Sequence, residues 1–221
     1  MSDDLVPDFD IRKSLFMQFA THVVAHDWPD SEAHNAELQA LIMGKEAEDA
    51  KNRIVRSNAG GWQTSGNLIT WKEPCIDVFR RRIEKLVTNL LQELIRDMGT
   101  NRSFRLLIDS WANINRRGDY NVVHTHPNCM FSGVYYVTRG NPDPDVPHGG
   151  LLEMLDPREA ANYIQVTKTV LDARTFFENE PGRMLLWPSW VKHMVHPFVG
   201  EGERISIAYN VNVVEETEAP R

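Results

Sequence analysis

Beyond Gly99 the hydrophobic pattern of this chain changes from a helical period to a two-residue alternation, and the alternation continues almost to the end. Successive side chains on a strand point to opposite faces, so such alternation marks half-buried strands. Interrupted by Gly and Pro, it predicts strands over residues 104–113, 120–126, 133–138, 151–155, 163–171, 183–187, 191–195 and 204–213. Short strands at this spacing close into a sandwich or barrel, of which the double-sheet jelly roll is one solution. Ahead of them, Ile76, Phe79, Ile83, Leu86, Leu90 and Leu94 recur at three- and four-residue steps. That stripe predicts a helix over 73–98, stopped by Gly99. Ala33, Leu38, Leu41 and Ile42, behind an N-cap at Ser31, predict an earlier helix to about Ala50. The run 15–24 fits a strand or a short helix. The expectation is a mainly β fold with helical cover (α+β), one domain over 1–221. Its helical region, 1–99, would pack on a β core, 100–214.

Composition narrows the function. A net charge of −7 excludes a nucleic-acid backbone or an anionic membrane as main partner, since both need clustered positive charge. Two cysteines, Cys75 and Cys129, make no disulfide framework and fit a reducing, cytoplasmic compartment. The acidic start MSDDLVPDFD has no secretion-signal pattern, and no apolar run is long enough to span a membrane. A long apolar sheet face, if exposed, would favour a homodimer.

His124 and His126 lie two apart on a predicted strand, which sets their imidazoles side by side as a pair of metal ligands. The same spacing also fits a half-exposed strand that binds nothing. A third ligand would come from MLLWPSWVKHMVHPF, where His193 and His196 face opposite ways on a strand, so at most one serves. On the last strand Ile205, Ile207, Tyr209, Val211 and Val213 form one face, and Arg204, Ser206, Ala208, Asn210 and Asn212 the other. The apolar face needs cover, which the helices can give. The polar face either meets solvent or points inward, where Arg and Asn are costly without a ligand.

GDYNVVHTH at 118–126, SGVYYV at 132–137, LDPR at 155–158, WPSWVKH at 187–193, RISIAYN at 204–210 and RSNAGGW at 56–62 resemble the Fe(II)- and 2-oxoglutarate-dependent oxygenases, within them a bacterial subgroup. The resemblance implies a double-stranded β-helix core of the jelly-roll, cupin-like kind. It implies an HxD ligand pair, a distal histidine some tens of residues on, and about ten residues later an Arg or Lys for the cosubstrate. Here the steps are 69 and 11 with His193, against 72 and 8 with His196, so His193 is the better match. The implied site is iron on His124, His126 and His193, with 2-oxoglutarate held by Arg204 and Ser206, an RxS clamp. Tyr135 and Tyr136 alternate, so one of them should face the pocket and donate its hydroxyl to the cosubstrate, with Tyr135 the favoured one. A facial three-ligand set leaves room on iron for the cosubstrate and O₂, and a guanidinium pairs the far carboxylate in a forked manner.

The chain departs from the pattern in placing His126 where most of the superfamily has Asp. A three-histidine set is electrically neutral, as in three-histidine dioxygenases, and makes Zn²⁺ more plausible. Asp119, Glu153 or Asp156 could instead complete the shell, with Asp119 at the wrong parity to share the face of His124. The implied reaction decarboxylates 2-oxoglutarate to succinate and hydroxylates an unactivated C–H bond of a small molecule or protein. The same residues also fit a cosubstrate-independent three-histidine dioxygenase or a non-catalytic metal-binding jelly roll. Trp187 and Trp190 fit a substrate wall or plain core, RSNAGGW a lid or a surface turn, and Asn128 and Arg158 substrate contacts or turn chemistry. His148, in the proline-rich loop 139–150, fits an exposed position.

Overall fold

The structure, a computed structural model, describes residues 10, 11, 19–49, 54–95, 103–163 and 172–216. Two helices precede the long strands. The first, α1, spans Glu32–Asp49 and buries Asn35, Leu38 and Ile42. The second, α2, spans Pro74–Ile95, opening with a proline whose missing N–H costs nothing there. Its apolar stripe, which includes Ile76, Phe79, Ile83, Leu86 and Leu91, is buried. The predicted stop at Gly99 lies outside the described residues.

The strands are β1 (Val24–Asp27), β2 (Asn58–Ala59), β3 (Trp62–Gln63), β4 (Ser103–Asn115), β5 (Tyr120–His124), β6 (Phe131–Pro142), β7 (Leu152–Leu155), β8 (Arg174–Phe177), β9 (Arg183–Pro188), β10 (His193–Val195) and β11 (Gly200–Glu216). They form a six-stranded sheet in the order β1-β9-β6-β11-β4-β3 and a five-stranded sheet in the order β2-β5-β10-β7-β8. Every pairing is antiparallel. This is a mainly β double-stranded β-helix with helical cover.

The alternation of β11 sorts its two faces as the sequence predicts. Ile205, Ile207, Tyr209 and Val211 enter one core cluster with Leu38, Ile42, Phe79, Ile83 and Val87 of the helices. The opposite face of the six-stranded sheet turns toward the five-stranded one. There Val134, Tyr136, Leu185 and Trp187 pack with Leu152 and Met154 in a second, smaller cluster. Arg204 and Ser206 are therefore enclosed between the sheets and do not meet solvent, with exposures of 1% and 3%.

Several boundaries differ from the sequence reading. The N-terminal region is not purely helical, because β1, β2 and β3 join the sheets. Local pattern misses them because their pairing partners are distant in sequence. The RSNAGGW segment is no free lid: β2 pairs with β5 in one sheet and β3 with β4 in the other. Gly60 and Gly61 make the turn between them at φ 77° and 64°, where a side chain is disfavoured. The strand predicted over 120–126 ends at His124, and the chain then turns through Asn128 at φ 64°. Tyr163 sits in a 3₁₀ turn, Ala161–Tyr163, and residues 164–171 of the predicted strand lie outside the described residues. Residues 15–18 of the run 15–24 also lie outside them, and β1 begins only at Val24.

Candidate active site

The five-stranded sheet and the turn that follows β5 bring His124, His126 and His193 together. His124 ends β5 and His193 begins β10, and the two are direct cross-strand partners. His126 lies past the strand end, where its backbone N–H donates to the Ser189 carbonyl, which ties the turn to the segment before His193. The three rings have centroids 4.3 to 5.1 Å apart. One nitrogen from each falls within 4.8 Å of the others.

The backbone fixes which nitrogens face inward. His124 Nδ1 is 2.7 Å from the Val122 carbonyl oxygen, and His193 Nδ1 is 2.9 Å from that of Val191. A carbonyl only accepts, so each Nδ1 carries the proton and each Nε2 keeps its lone pair free for a metal. His193 Nε2 and His126 Nε2 are 3.2 Å apart. Two ligands about 2.0–2.1 Å from a shared metal, at angles between octahedral and tetrahedral, are separated by about 2.8–3.4 Å. The residues thus fit a first-row divalent ion. Burial lowers the pKa of all three imidazoles, His193 to about 3 and His126 to about 4, with the charge of His124 adding to the effect on these two. They are held neutral, the form that binds metal. Trp111 stacks on His126 at 5.6 Å and Trp187 stands edge-on to His193 at 5.0 Å, which fixes the ring planes.

The rings form one wall of a cavity, and Arg204 and Ser206 line the other end. The register of the six-stranded sheet explains the floor. Arg204, Ser206 and Ala208 of β11 lie beside Asn115, Asn113 and Trp111 of β4. The Arg204 guanidinium donates from Nε to the Gly150 carbonyl at 2.8 Å, with longer contacts of 3.4 Å to Asn115 Oδ1 and Ser206 Oγ. Its carbon lies 5.4 Å from the centre of the Tyr136 ring. Burial pushes its pKa down. Among the described residues no carboxylate comes within ion-pair distance of it.

Tyr135 is a correction. Its ring belongs to the cluster under the helices, and its hydroxyl donates to Asn35 Oδ1 and accepts from Arg82, each at 2.6 Å. The cavity-facing tyrosine is Tyr136, because it pairs with Ser206 across a register shift in β11, whereas Tyr135 pairs with Ile207. The Tyr136 hydroxyl is buried without a hydrogen-bond partner, and burial raises its pKa to about 12. Which of two adjacent tyrosines faces in depends on that shift, and no local signal announces it. Asn113 and Asn115 also escaped the sequence reading. Their signal was available, since WANIN alternates Trp111, Asn113 and Asn115 against Ala112 and Ile114.

The carboxylates considered as substitutes for His126 all lie elsewhere. Asp119 accepts from the Arg116 backbone N–H at 2.8 Å and closes a turn. Asp156 is bound by Arg158, which is thereby accounted for by turn chemistry. Glu153 lies on the outward side of β7 and bonds His196 at 2.6 Å. Trp187 is buried, Trp190 is 53% exposed, and His148 is exposed, stacked on Phe176 at 4.1 Å. Asn128 lies outside the cavity lining, its carbonyl accepting from Asn212.

Residues 109–210, a segment that holds every residue of the site on β4 to β11, match the family model described as "Putative 2OG-Fe(II) oxygenase". Solved structures with this fold include a prolyl-4-hydroxylase of Pseudomonas putida, at 19% identity and TM-score 0.60, covering 87% of this chain and 91% of that one. A Trichoplax adhaerens prolyl hydroxylase in complex with a hypoxia inducible factor peptide fragment matches at 14% identity and TM-score 0.56, covering 86% and 83%. HygX of Streptomyces hygroscopicus, with nickel, 2-oxoglutarate and hygromycin B bound, matches at 10% identity and TM-score 0.55, covering 87% and 83%. No curated protein sequence matches the chain.

Proposed function

We propose that the chain is an Fe(II)- and 2-oxoglutarate-dependent hydroxylase whose metal is held by His124, His126 and His193 and whose cosubstrate is held by Arg204. The observation that carries this reading is Arg204 itself: a guanidinium 1% exposed, with no carboxylate partner among the described residues, in the same cavity as three neutral imidazoles. An uncompensated buried charge is strongly unfavourable, so a site that keeps one is built for an anion. The far carboxylate of 2-oxoglutarate supplies it, with Ser206 and the unpartnered Tyr136 hydroxyl as further hydrogen-bond donors.

Iron bound at the histidines would supply the activation of O₂, with 2-oxoglutarate, O₂ and R–H giving succinate, CO₂ and R–OH. The chain's own part is positional. Val122 and Val191 hold two imidazoles in the metal-binding tautomer, and Trp111 and Trp187 fix ring orientation. Leu152, Val134 and Val195 give the cavity apolar walls that limit water beside the reacting atoms. Both cysteines are free thiols, which supports work in a reducing compartment such as the cytoplasm. No helix of the described residues is long and apolar enough to cross a membrane. We further read the helices and both sheets as one domain, and leave the substrate open between small molecule and protein. The test is the yield of succinate from 2-oxoglutarate under air with Fe(II). Formation by the wild type and its loss in Arg204→Met are expected; equal yields would refute the assignment of Arg204.

A further inference from the structure

We infer that the substrate of this site carries an anionic group, held beside the three-histidine centre. The inference rests on the oxygenase reading above and follows from a charge count within the cavity. No Asp or Glu is among the residues lining it. Three neutral imidazoles leave a divalent metal with its full charge of about +2. Arg204 adds one positive charge at the other end. A 2-oxoglutarate dianion cancels two of the three, so one positive charge stays uncompensated between two sheets that shut out water.

Among the described residues nothing nearby offsets that remainder. The one carboxylate buried among the described residues is Glu153, and it faces away from the cavity. Its neighbours Leu152 and Met154 pack inward, while its own oxygens meet His196 at 2.6 Å and Arg174 at 3.8 Å. Asp109, the next acidic residue along the β4 face, lies two positions outward from Trp111 and is exposed, where water screens it. The chain's net charge of −7 therefore resides outside the site.

Hydrogen bonding points the same way. Trp187, 3% exposed and in contact with His193, has an indole N–H with no partner, and an indole N–H can only donate. A neutral substrate would leave a positive site with an idle donor, whereas a carboxylate, phosphate or sulfate group meets both.

The test uses the Co(II)-substituted protein and two probes of nearly equal shape, acetate and acetamide, added after saturation with 2-oxoglutarate. The readout is the visible ligand-field spectrum of cobalt. Acetate is expected to perturb the ternary spectrum with an affinity at least about tenfold above that of acetamide. His126→Asp, which places a carboxylate at the centre, is expected to reduce that preference below about threefold. Asn210→Asp, a near-isosteric charge on the same β11 face, serves if the first variant does not fold or load cobalt. Equal response to both probes, response to neither, reversion to the spectrum without 2-oxoglutarate, or a preference surviving both variants would each overturn the inference. If 2-oxoglutarate itself leaves the cobalt spectrum unchanged, the oxygenase reading fails first, before any probe is added.

Discussion

Replacing Arg204 by methionine should raise the stability of the metal-free protein and abolish its stabilisation by the cosubstrate. The side chain is 1% exposed and makes one short hydrogen bond, to Gly150, and two at 3.4 Å. Leaving a buried charge without its partner costs about 3–5 kcal/mol. Methionine fills much of the same volume but leaves the Gly150 carbonyl unsatisfied, at about 1–2 kcal/mol. The difference favours the variant by about 1–4 kcal/mol without ligand, or roughly 2–16 °C in Tm for a chain of this size. With Ni(II) present and 2-oxoglutarate at about a hundred times its Kd, the wild type gains about 2.7 kcal/mol and the variant gains none. Differential scanning calorimetry in chelator, then with Ni(II) and 2-oxoglutarate, reads both effects. An Arg204→Met protein less stable than wild type in chelator, or one with an undiminished cosubstrate shift, would refute the view that this arginine awaits an anion.

The two adjacent tyrosines should separate cleanly. Tyr136→Phe should weaken 2-oxoglutarate binding in calorimetric titration by about 1 kcal/mol with little change in Tm, since its hydroxyl has no partner to lose. Tyr135→Phe should leave that affinity unchanged and cost about 1–3 kcal/mol of stability, because Asn35 and Arg82 lose a buried partner. The histidines make the metal-free fold acid-sensitive. Their folded pKa values, about 3 for His193 and about 4 for His126, lie below the ordinary 6.5, so the folded state binds fewer protons than the unfolded one. Their contribution is intact above pH 6.5 and declines as pH falls toward 3; chemical denaturation in chelator from pH 8 to 4 checks it, and a flat profile would contradict it. Gly133→Ala would drive a methyl into the Leu185 carbonyl and the Tyr209 ring, so a loss of more than about 2 kcal/mol is expected by urea titration.

The β core was legible because alternation is a local signal. On β11 the same alternation that sends Ile205 and Ile207 to the helices sends Arg204 and Ser206 to the cavity, and the motif spacing favoured His193, which lies directly across from His124. What escaped depended on pairings between distant segments. The short strands at 58–59 and 62–63 exist only because β5 and β4 offer edges to them. The choice of Tyr136 over Tyr135 turns on a register shift between Ile205 and Ser206, which alters facing without altering the sequence pattern of β6. His126 belongs to the cluster even though it lies beyond the strand that parity reasoning assumed, held there by its backbone bond to Ser189.

The most direct test of the central claim is anaerobic titration of the metal-free protein with Fe(II) and then 2-oxoglutarate, read by visible absorption. The account predicts a weak charge-transfer band only when both are present, lost in His193→Ala and displaced to much higher 2-oxoglutarate concentration in Arg204→Met. Iron bound with no band at any cosubstrate concentration would contradict it.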